Sequence, residues 1–139
     1  MRYWLMKSEP SAWSWQNQVD RGDAGEPWDG VRNHQASNNM KAMEIGDLIF
    51  FYHSVHEKRI VGIAEVCAKY HPDPTDDSGR FGMVSIRAVK TMNSPVTLAQ
   101  IKNDKRLSNI ALVRQSRLSV TRILPEHWDI IMGMGNCRL

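Results

Sequence analysis

Apolar residues recur at every second position in several short segments of the chain, which is the spacing of β-strands. The predicted strands are 2–6, 48–53, 60–69, 83–92 and 118–123. In the first of them, Tyr3 and Leu5 would lie on one face and Trp4 and Met6 on the other. The polar connection at 54–59 fits a hairpin loop, so the strands are predicted to be mostly antiparallel.

Short helices are predicted between the strands, each from a residue that suits the start of a helix. The predicted helices are 15–21, 34–43, 98–107 and 125–131, with Ser14, Asn33 and Thr97 as N-caps and Pro125 in the first turn of the last. The residue three after Ser14 is Asn17 rather than Glu or Gln, so a full capping box is not expected. Residues 71–80 are predicted as a loop, and residues 108–117 as an irregular basic stretch.

About five antiparallel strands without long crossover helices tend to curl into a barrel or half-barrel in order to bury a shared face. The 139 residues fit one α+β domain, 1–139, large enough for its own core. No repeat or heptad pattern interrupts it.

Composition narrows the class of protein without naming a function. The chain is 42% hydrophobic and 24% charged, close to the average for globular proteins, and no apolar run is long enough to cross a bilayer. Cys67 and Cys137 form no CxxC or Cys/His motif, so reduced thiols and a cytoplasmic location are expected. The net charge of +3 permits contact with nucleic acid but does not require it.

The stretch 28–54 carries an unusual density of amides and aromatic rings. It opens with Trp28, Asp29 and Gly30, continues through a polar segment at 33–39, and ends in the apolar run that leads to His53. Flat rings beside fixed donors and acceptors suit a pocket for a planar, polar heterocycle, since rings stack and amides read edges.

Two other kinds of site, a metal centre and a hydrolase site, fit the sequence less well than this pocket. His53 and His56, with His71 and the acids of the 73–77 loop, lack the spacing of a structural zinc or calcium site, so no metal is expected. No GxSxG motif is present, and adjacent residues on a strand, such as His53 and Ser54, point to opposite faces. A hydrolase using Glu9 and Asp29 as a carboxylate pair stays an alternative.

Recognition of a nucleobase accounts for more of the sequence. Nucleobases are read by stacking on aromatic faces and by hydrogen bonds to their edges, usually after the base leaves its stack. Trp28 offers a stacking face, because its neighbours Pro27, Asp29 and Gly30 form no apolar period. The donors and acceptors near this turn, and near the turn where Pro10 ends the first strand, are Lys7, Ser8, Glu9, Asp29 and Asn33. Basic residues for the nucleic-acid backbone are Arg114, Arg117 and Arg122, although a solvated loop or strand edge explains them equally well.

The sequence also contains a series of specific strings: YWLxKSEP at 3–10, WDGVRNxQA at 28–36, GD at 46–47, FFYHS at 50–54, VGIAEV at 61–66, PDPT at 72–75 and QSRLSV at 115–120. In this order and over nearly the whole chain, they closely resemble the EVE domain family. The resemblance implies a PUA-like β pseudo-barrel of about five to six mostly antiparallel strands with short peripheral helices. Related YTH domains read methylated adenine in RNA, and a eukaryotic member of the family is associated with modified cytosines.

The resemblance implies a non-catalytic module that takes a modified base of DNA or RNA into a pocket. Residues 7–9 resemble the turn that lines the pocket of YTH domains, and Trp28 with Asp29 resembles its aromatic wall. Tyr52, His53 and Ser54 would complete the rim, with Arg32 among the residues that contact the backbone. Glu9 and Asp29 replace uncharged YTH residues, which favours a modified cytosine over methyladenine, although adenine stays open.

One position departs from the family pattern. Many members have an arginine where this chain has Ser37, so contact with phosphate is expected to be weaker and less dependent on salt. Ser37 is not expected to disturb the fold, because its sequence neighbours are mostly polar. No cofactor or membrane partner is expected. The alternatives are an enzyme acting on a modified base, with Glu9 or Asp29 as general base, and a module that binds a small molecule or protein in the same cleft.

Overall fold

The computed structural model describes residues 1–139, which form one six-stranded sheet flanked by five short α-helices. The strands are β1 (Tyr3–Ser8), β2 (Glu26–Pro27), β3 (Leu48–His53), β4 (Arg59–Pro72), β5 (Gly82–Thr97) and β6 (Val120–Ile123). The helices are α1 (Trp15–Asp20), α2 (His34–Lys41), α3 (Leu98–Asn103), α4 (Ala111–Arg114) and α5 (Pro125–Met134), with 3₁₀ turns at Gly22–Ala24 and Lys105–Leu107.

The order of strands across the sheet is β2-β5-β4-β3-β1-β6, and all neighbours are antiparallel except β1 and β3. This confirms the predicted α+β class with mostly antiparallel strands. In the parallel pair, Lys7 lies opposite Tyr52 and Ser8 opposite His53, so the two strands end side by side.

Two hydrophobic cores lie on the two faces of the sheet. Trp4, Met6 and Phe51 belong to the first core, beneath α1 and α2, whereas Leu5 and Phe50 belong to the second, beneath α3, α4 and α5. Both faces of β1 and β3 are therefore buried. Helix α2 packs on β6 at one edge of the sheet and on β5 near the other, so it spans the opening of a half-barrel.

The strand boundaries differ from the prediction where pairing is not local. Strand β2 was not predicted, because its two residues lie among Gly and Pro and only their pairing with Ser85 and Ile86 of β5 makes them a strand. Strand β5 is longer than predicted and contains Pro95. Strand β4 also extends beyond the predicted 60–69, and its pairing with β5 shifts register at several points.

The predicted N-caps are confirmed, and one is stronger than expected. Asn17 supplies the reciprocal bond of a capping box, since its Oδ1 accepts from the amide of Ser14 at 2.9 Å while Ser14 caps the helix. The helix predicted at 98–107 ends at Asn103, because Asp104 caps the following 3₁₀ turn instead. The prediction that residues 108–117 are irregular is wrong, because this stretch contains α4, which buries Leu112.

Helix α1 is fixed to the sheet by its first residue. The Trp15 ring lies so close over Gly62 that a Cβ there would come within 2.3 Å of it, and its Nε1 donates to Thr91 Oγ1 at 3.0 Å. The Trp15 amide donates to His53 Nε2 at 2.9 Å. These contacts set the path of the segment 9–14 that enters α1. None of the helices is both long and apolar enough to cross a membrane.

Candidate nucleic-acid interface

A cleft of about 400 Å³ opens where β1 ends, between the segment that enters α1 and the segment that leaves β2. Its lining residues are Lys7, Ser8, Glu9, Ala12, Trp13, Glu26, Pro27, Trp28 and Asp29. Its volume is in the range of pockets that hold a small planar ligand. Five of the residues expected in a base-binding pocket thus meet in one place: Lys7, Ser8, Glu9, Trp28 and Asp29.

Two half-buried tryptophans line this cleft. Trp28 forms a T-shaped pair with Phe51, with ring centroids 5.6 Å apart, and its amide donates to Val84 O at 2.8 Å. Trp13 donates from Nε1 to Gln18 Oε1 at 2.9 Å, and the fully buried Gln18 is itself bonded to β5 through Ile86 O. Each ring is therefore held by the body of the protein while part of it remains available to a ligand.

Charge in the cleft is predominantly negative. Glu9, Glu26 and Asp29 line it against the single cation Lys7, although Glu26 also pairs with Arg21 at 3.2 Å. Burial lowers the pKa of Lys7, and its Nζ donates to Ser116 O at 2.7 Å. The cleft is thus suited to a ligand edge that carries hydrogen-bond donors and ill suited to a phosphate.

The turn that carries Trp28 and Asp29 is held by a buried carboxylate from a distant loop. Asp73, with a fully buried side chain, accepts from the Gly30 amide at 2.8 Å and from Arg32 Nη1 at 3.1 Å. Thr75 donates to it from both its amide and its hydroxyl. Desolvation acts to raise the pKa of Asp73, but the hydrogen bonds from Thr75, Gly30 and Arg32 outweigh it and hold that pKa well below its usual range.

A second groove, of about 350 Å³, contains no acidic residue. It is lined by Asn33, Gln35, Arg114, Gln115, Ser116, Arg117 and Leu118, and is called the basic groove below. Arg114 is oriented by bonds to Ser108 O and Asn109 Oδ1, both at 3.1 Å, whereas Arg117 is exposed and makes no ion pair or side-chain hydrogen bond. The bond from Lys7 to Ser116 connects the cleft to this groove.

Tyr52 does not lie at the rim of the cleft, contrary to expectation. It alternates with Phe51 along β3 and therefore enters the second core on the opposite face, where burial raises its pKa to about 12. His53 is also buried, with Nε2 accepting from the Trp15 amide and Nδ1 bonded to Glu57 Oε1 at 3.0 Å. Ser54 supports the end of β1, since its amide donates to Ser8 O at 2.9 Å.

Three further residues lie outside the cleft. Asn33 caps α2 by accepting from the Ala36 amide at 2.9 Å, and it lines the basic groove instead. Arg32 is hydrogen-bonded to Asp73 and Thr75 and does not line the basic groove, although its side chain is 40% exposed. Arg122 is exposed but lies opposite Trp4 in the β1–β6 pair, toward the far end of β1 from Lys7.

Four residues that line the cleft were not predicted from the sequence: Ala12, Trp13, Glu26 and Pro27. Trp13 follows Pro10 within a polar segment rather than an apolar period, the same signal that singled out Trp28. Ser37 is buried rather than in polar surroundings, and its hydroxyl bonds Tyr70 Oη at 2.8 Å. No group of three or more His, Cys, Asp or Glu side chains lies close enough together to hold a metal ion.

Comparison with known proteins identifies relatives of the whole chain and of its fold. The family model described as "EVE domain" matches residues 2–134. The chain is 29% identical to human thymocyte nuclear protein 1 over 95% of its own length and 73% of the relative. A crystal structure of the Agrobacterium tumefaciens protein Atu2648 is 47% identical, with a TM-score of 0.95 over 99% of this chain and 94% of that one.

A further structural neighbour was solved with nucleic acid. It is the human THYN1 protein in complex with DNA containing 5-methylcytosine, 27% identical, with a TM-score of 0.92 over 100% of both chains. The family match spans nearly the whole chain, and the fold agrees with that of these relatives. The chain therefore belongs to the EVE domain family.

Proposed function

We propose that this protein is a non-catalytic reader that binds nucleic acid and takes a modified base, most directly a modified cytosine in DNA, into the cleft at the end of β1. The observation that carries the proposal is the pairing of an acidic, tryptophan-lined cleft with a separate basic groove, connected through Lys7. Support also comes from the human THYN1 protein, which was solved with DNA containing 5-methylcytosine.

The aromatic walls suit a base that has left its stack. Stacking on an aromatic side chain is worth about 1–3 kcal/mol per base, which offsets part of the cost of extruding it from the helix. Trp28 supplies the primary stacking surface, because its ring is held against Phe51 and also lines the cleft. Trp13 supplies a second apolar surface in the same cleft.

The carboxylates determine which edges are accepted. Cytosine and adenine present an exocyclic amine that can donate to Glu9 or Asp29, whereas thymine presents a carbonyl oxygen at the same place. A carboxylate facing a carbonyl leaves both acceptors unpaired, and this costs binding energy. The nucleic-acid backbone, which the acidic cleft would repel, is held by Arg114 and Arg117 in the basic groove.

The test is a binding screen of otherwise identical oligonucleotides, single- and double-stranded, at two salt concentrations. The central base would be cytosine, 5-methylcytosine, 5-hydroxymethylcytosine, 5-carboxylcytosine, adenine or N6-methyladenine. We expect a methylated or hydroxymethylated cytosine to bind more tightly than its plain parent at both salts. We expect 5-carboxylcytosine to bind more weakly, since its added negative charge meets the acidic cleft.

Equal binding of all oligonucleotides that disappears with salt would reduce the interaction to backbone electrostatics and would contradict the proposal. Mass spectrometry would detect chemical conversion of any oligonucleotide during the incubation. Such conversion would contradict the proposal that the protein is non-catalytic. If the protein prefers N6-methyladenine, it is still a reader of a modified base, but the ligand is a modified adenine rather than a modified cytosine.

A further inference from the structure

The turn that presents Trp28 and Asp29 to the cleft is fixed at both ends by partners from elsewhere in the chain. At one end, the Trp28 amide donates to Val84 O of β5. At the other end, the Gly30 amide donates to Asp73 Oδ2. Gly30 has a left-handed φ of 81°, a conformation that favours glycine and allows the chain to reverse there.

Asp73 is the centre of a small buried network. Its Oδ2 accepts hydrogen bonds from the Gly30 amide and from Arg32 Nη1, and its Oδ1 accepts hydrogen bonds from the amide and the hydroxyl of Thr75. The same Thr75 hydroxyl accepts from Arg32 Nη2 at 2.8 Å, and the Arg32 guanidinium lies 5.8 Å from the centre of the Phe81 ring. None of these groups lines the cleft.

Resting on the proposed function, we infer that Asp73 is a positioning residue for base recognition: with Arg32 and Thr75, it holds the Trp28–Gly30 turn in the geometry that stacks and reads the base. The physical reason is that a stacking wall contributes only when it is already in place. A turn free to move must lose conformational entropy on binding, and this weakens discrimination between bases. Contact with the nucleic-acid backbone through the basic groove does not depend on this network.

The test compares Asp73→Asn with the matched control Asp76→Asn. Asp76 lies in the same loop and accepts from Ser78 and from the Phe81 amide, but it makes no hydrogen bond to residues 28–32. The first readout is the ratio of dissociation constants for plain and 5-methylcytosine DNA. The second is the dependence of binding on salt, which reports the backbone contacts.

We expect Asp73→Asn to lower the discrimination ratio about tenfold, as expected for a lost charged hydrogen bond, while the salt dependence stays that of the wild type. Asp76→Asn should leave both unchanged. If Asp73→Asn fails to fold, Thr75→Ala replaces it, with Thr75→Ser as a rescue that keeps the hydroxyl bonds to Asp73 and Arg32. Retained discrimination in a folded Asp73→Asn or Thr75→Ala variant would overturn the inference.

A measurement that needs no nucleic acid separates this inference from the proposed function. Hydrogen exchange of the Gly30 amide, followed by NMR, should accelerate in Asp73→Asn and not in Asp76→Asn. Unchanged exchange at Gly30 would overturn the positioning role, whatever the protein binds. Absence of discrimination in the wild type, with exchange altered as expected, would instead count against the proposed function alone.

Discussion

Trp28 has two roles at the scale of a single residue, because its ring meets two different surroundings. Part of the ring packs with Phe51 against the first core, and part of it lines the cleft. Trp28 therefore packs against the first core as well as lining the predicted pocket. A substitution there should affect both stability and binding, and the two effects can be measured separately.

We expect Trp28→Ala to lose about 1–3 kcal/mol of unfolding free energy and still fold, since only part of the side chain is buried. Binding of the modified base should fall by about 1–3 kcal/mol in addition, because the stacking face is gone. Denaturant titration and fluorescence anisotropy would measure the two terms, with Trp28→Phe as the control that retains an aromatic ring. A folded Trp28→Ala variant with wild-type affinity would show that the base does not stack there.

Substitution of the cleft carboxylates Asp29 and Glu9 should change which bases the protein discriminates. Asp29→Asn and Glu9→Gln should each reduce discrimination for an amine-bearing base, by up to about tenfold, since a charged acceptor becomes neutral. Both variants should also bind unmodified DNA somewhat more tightly, because a negative charge near the phosphates is removed. Glu26→Gln is the control, since its charge is already compensated by Arg21. Unchanged discrimination in both variants would remove the carboxylates from recognition.

The local sequence was sufficient to predict the position of some of the site residues but not of others. Lys7, Ser8 and Glu9 were identified because a proline ends the strand beside them, and Trp28 because no apolar period surrounds it. Tyr52 was misplaced because the run 48–52 is apolar throughout, so the sequence does not reveal which of its side chains face the cleft. The role of Asp73 depends on a contact 43 residues away, which no local pattern encodes.

At the scale of elements, two non-local supports hold the cleft walls. Helix α1 is seated by Trp15 on Gly62, and the Trp28 turn is held by the loop that follows β4. The strands with strong alternation and the capped helices were predicted from the sequence, because their signals are local. Strand β2 and helix α4 were not, since two and four residues leave too little pattern and tertiary packing decides their form.

The buried Asp73 network predicts a dependence of stability on pH. The native carboxylate has a pKa below that of the unfolded chain, near 3.9, so its contribution to stability is fully present above that value. As the pH falls below about 4, the unfolded state takes up a proton that the native state does not, and the contribution is progressively lost. Asp73→Asn should therefore be less stable than wild type by about 2 kcal/mol at neutral pH, with a gap that narrows in acid.

Denaturant titrations of both proteins between pH 7 and pH 2 would measure that gap. The control for this titration is Asp77→Asn, because Asp77 is an exposed residue of the same loop whose carboxylate makes no hydrogen bond or ion pair. A constant difference between wild type and Asp73→Asn across the whole range would mean that the charge of Asp73 does not stabilise the fold.

For the whole molecule, the separation of charge is the main feature. The cleft carries three carboxylates and one amine, whereas the adjoining basic groove carries Arg114 and Arg117 and no acid. The net charge of +3 does not reveal this separation, because it sums over both regions. The arrangement favours an orientation in which the backbone lies along the groove and only a base enters the cleft.

Substitution of Arg117 tests whether the basic groove binds the nucleic-acid backbone. Arg117→Gln should weaken binding to plain and modified DNA alike and reduce the salt slope by about one counterion, since one phosphate contact is lost. Arg122→Gln is the matched control, as Arg122 lies toward the other end of β1. Equal effects of the two variants on the salt slope would mean that the basic groove is not the backbone site.

The most direct test of the whole account is a thermodynamic cycle between the methyl group of the DNA and Trp28. Dissociation constants would be measured for wild type and Trp28→Ala, each with plain cytosine and with 5-methylcytosine in the same duplex. If the base enters the cleft, the wild type will prefer the methylated duplex and Trp28→Ala will lose most of that preference, giving a coupling of about 1 kcal/mol or more. If the wild type prefers the methylated duplex and Trp28→Ala keeps the whole preference, the modified base is read elsewhere and the cleft is not its binding site.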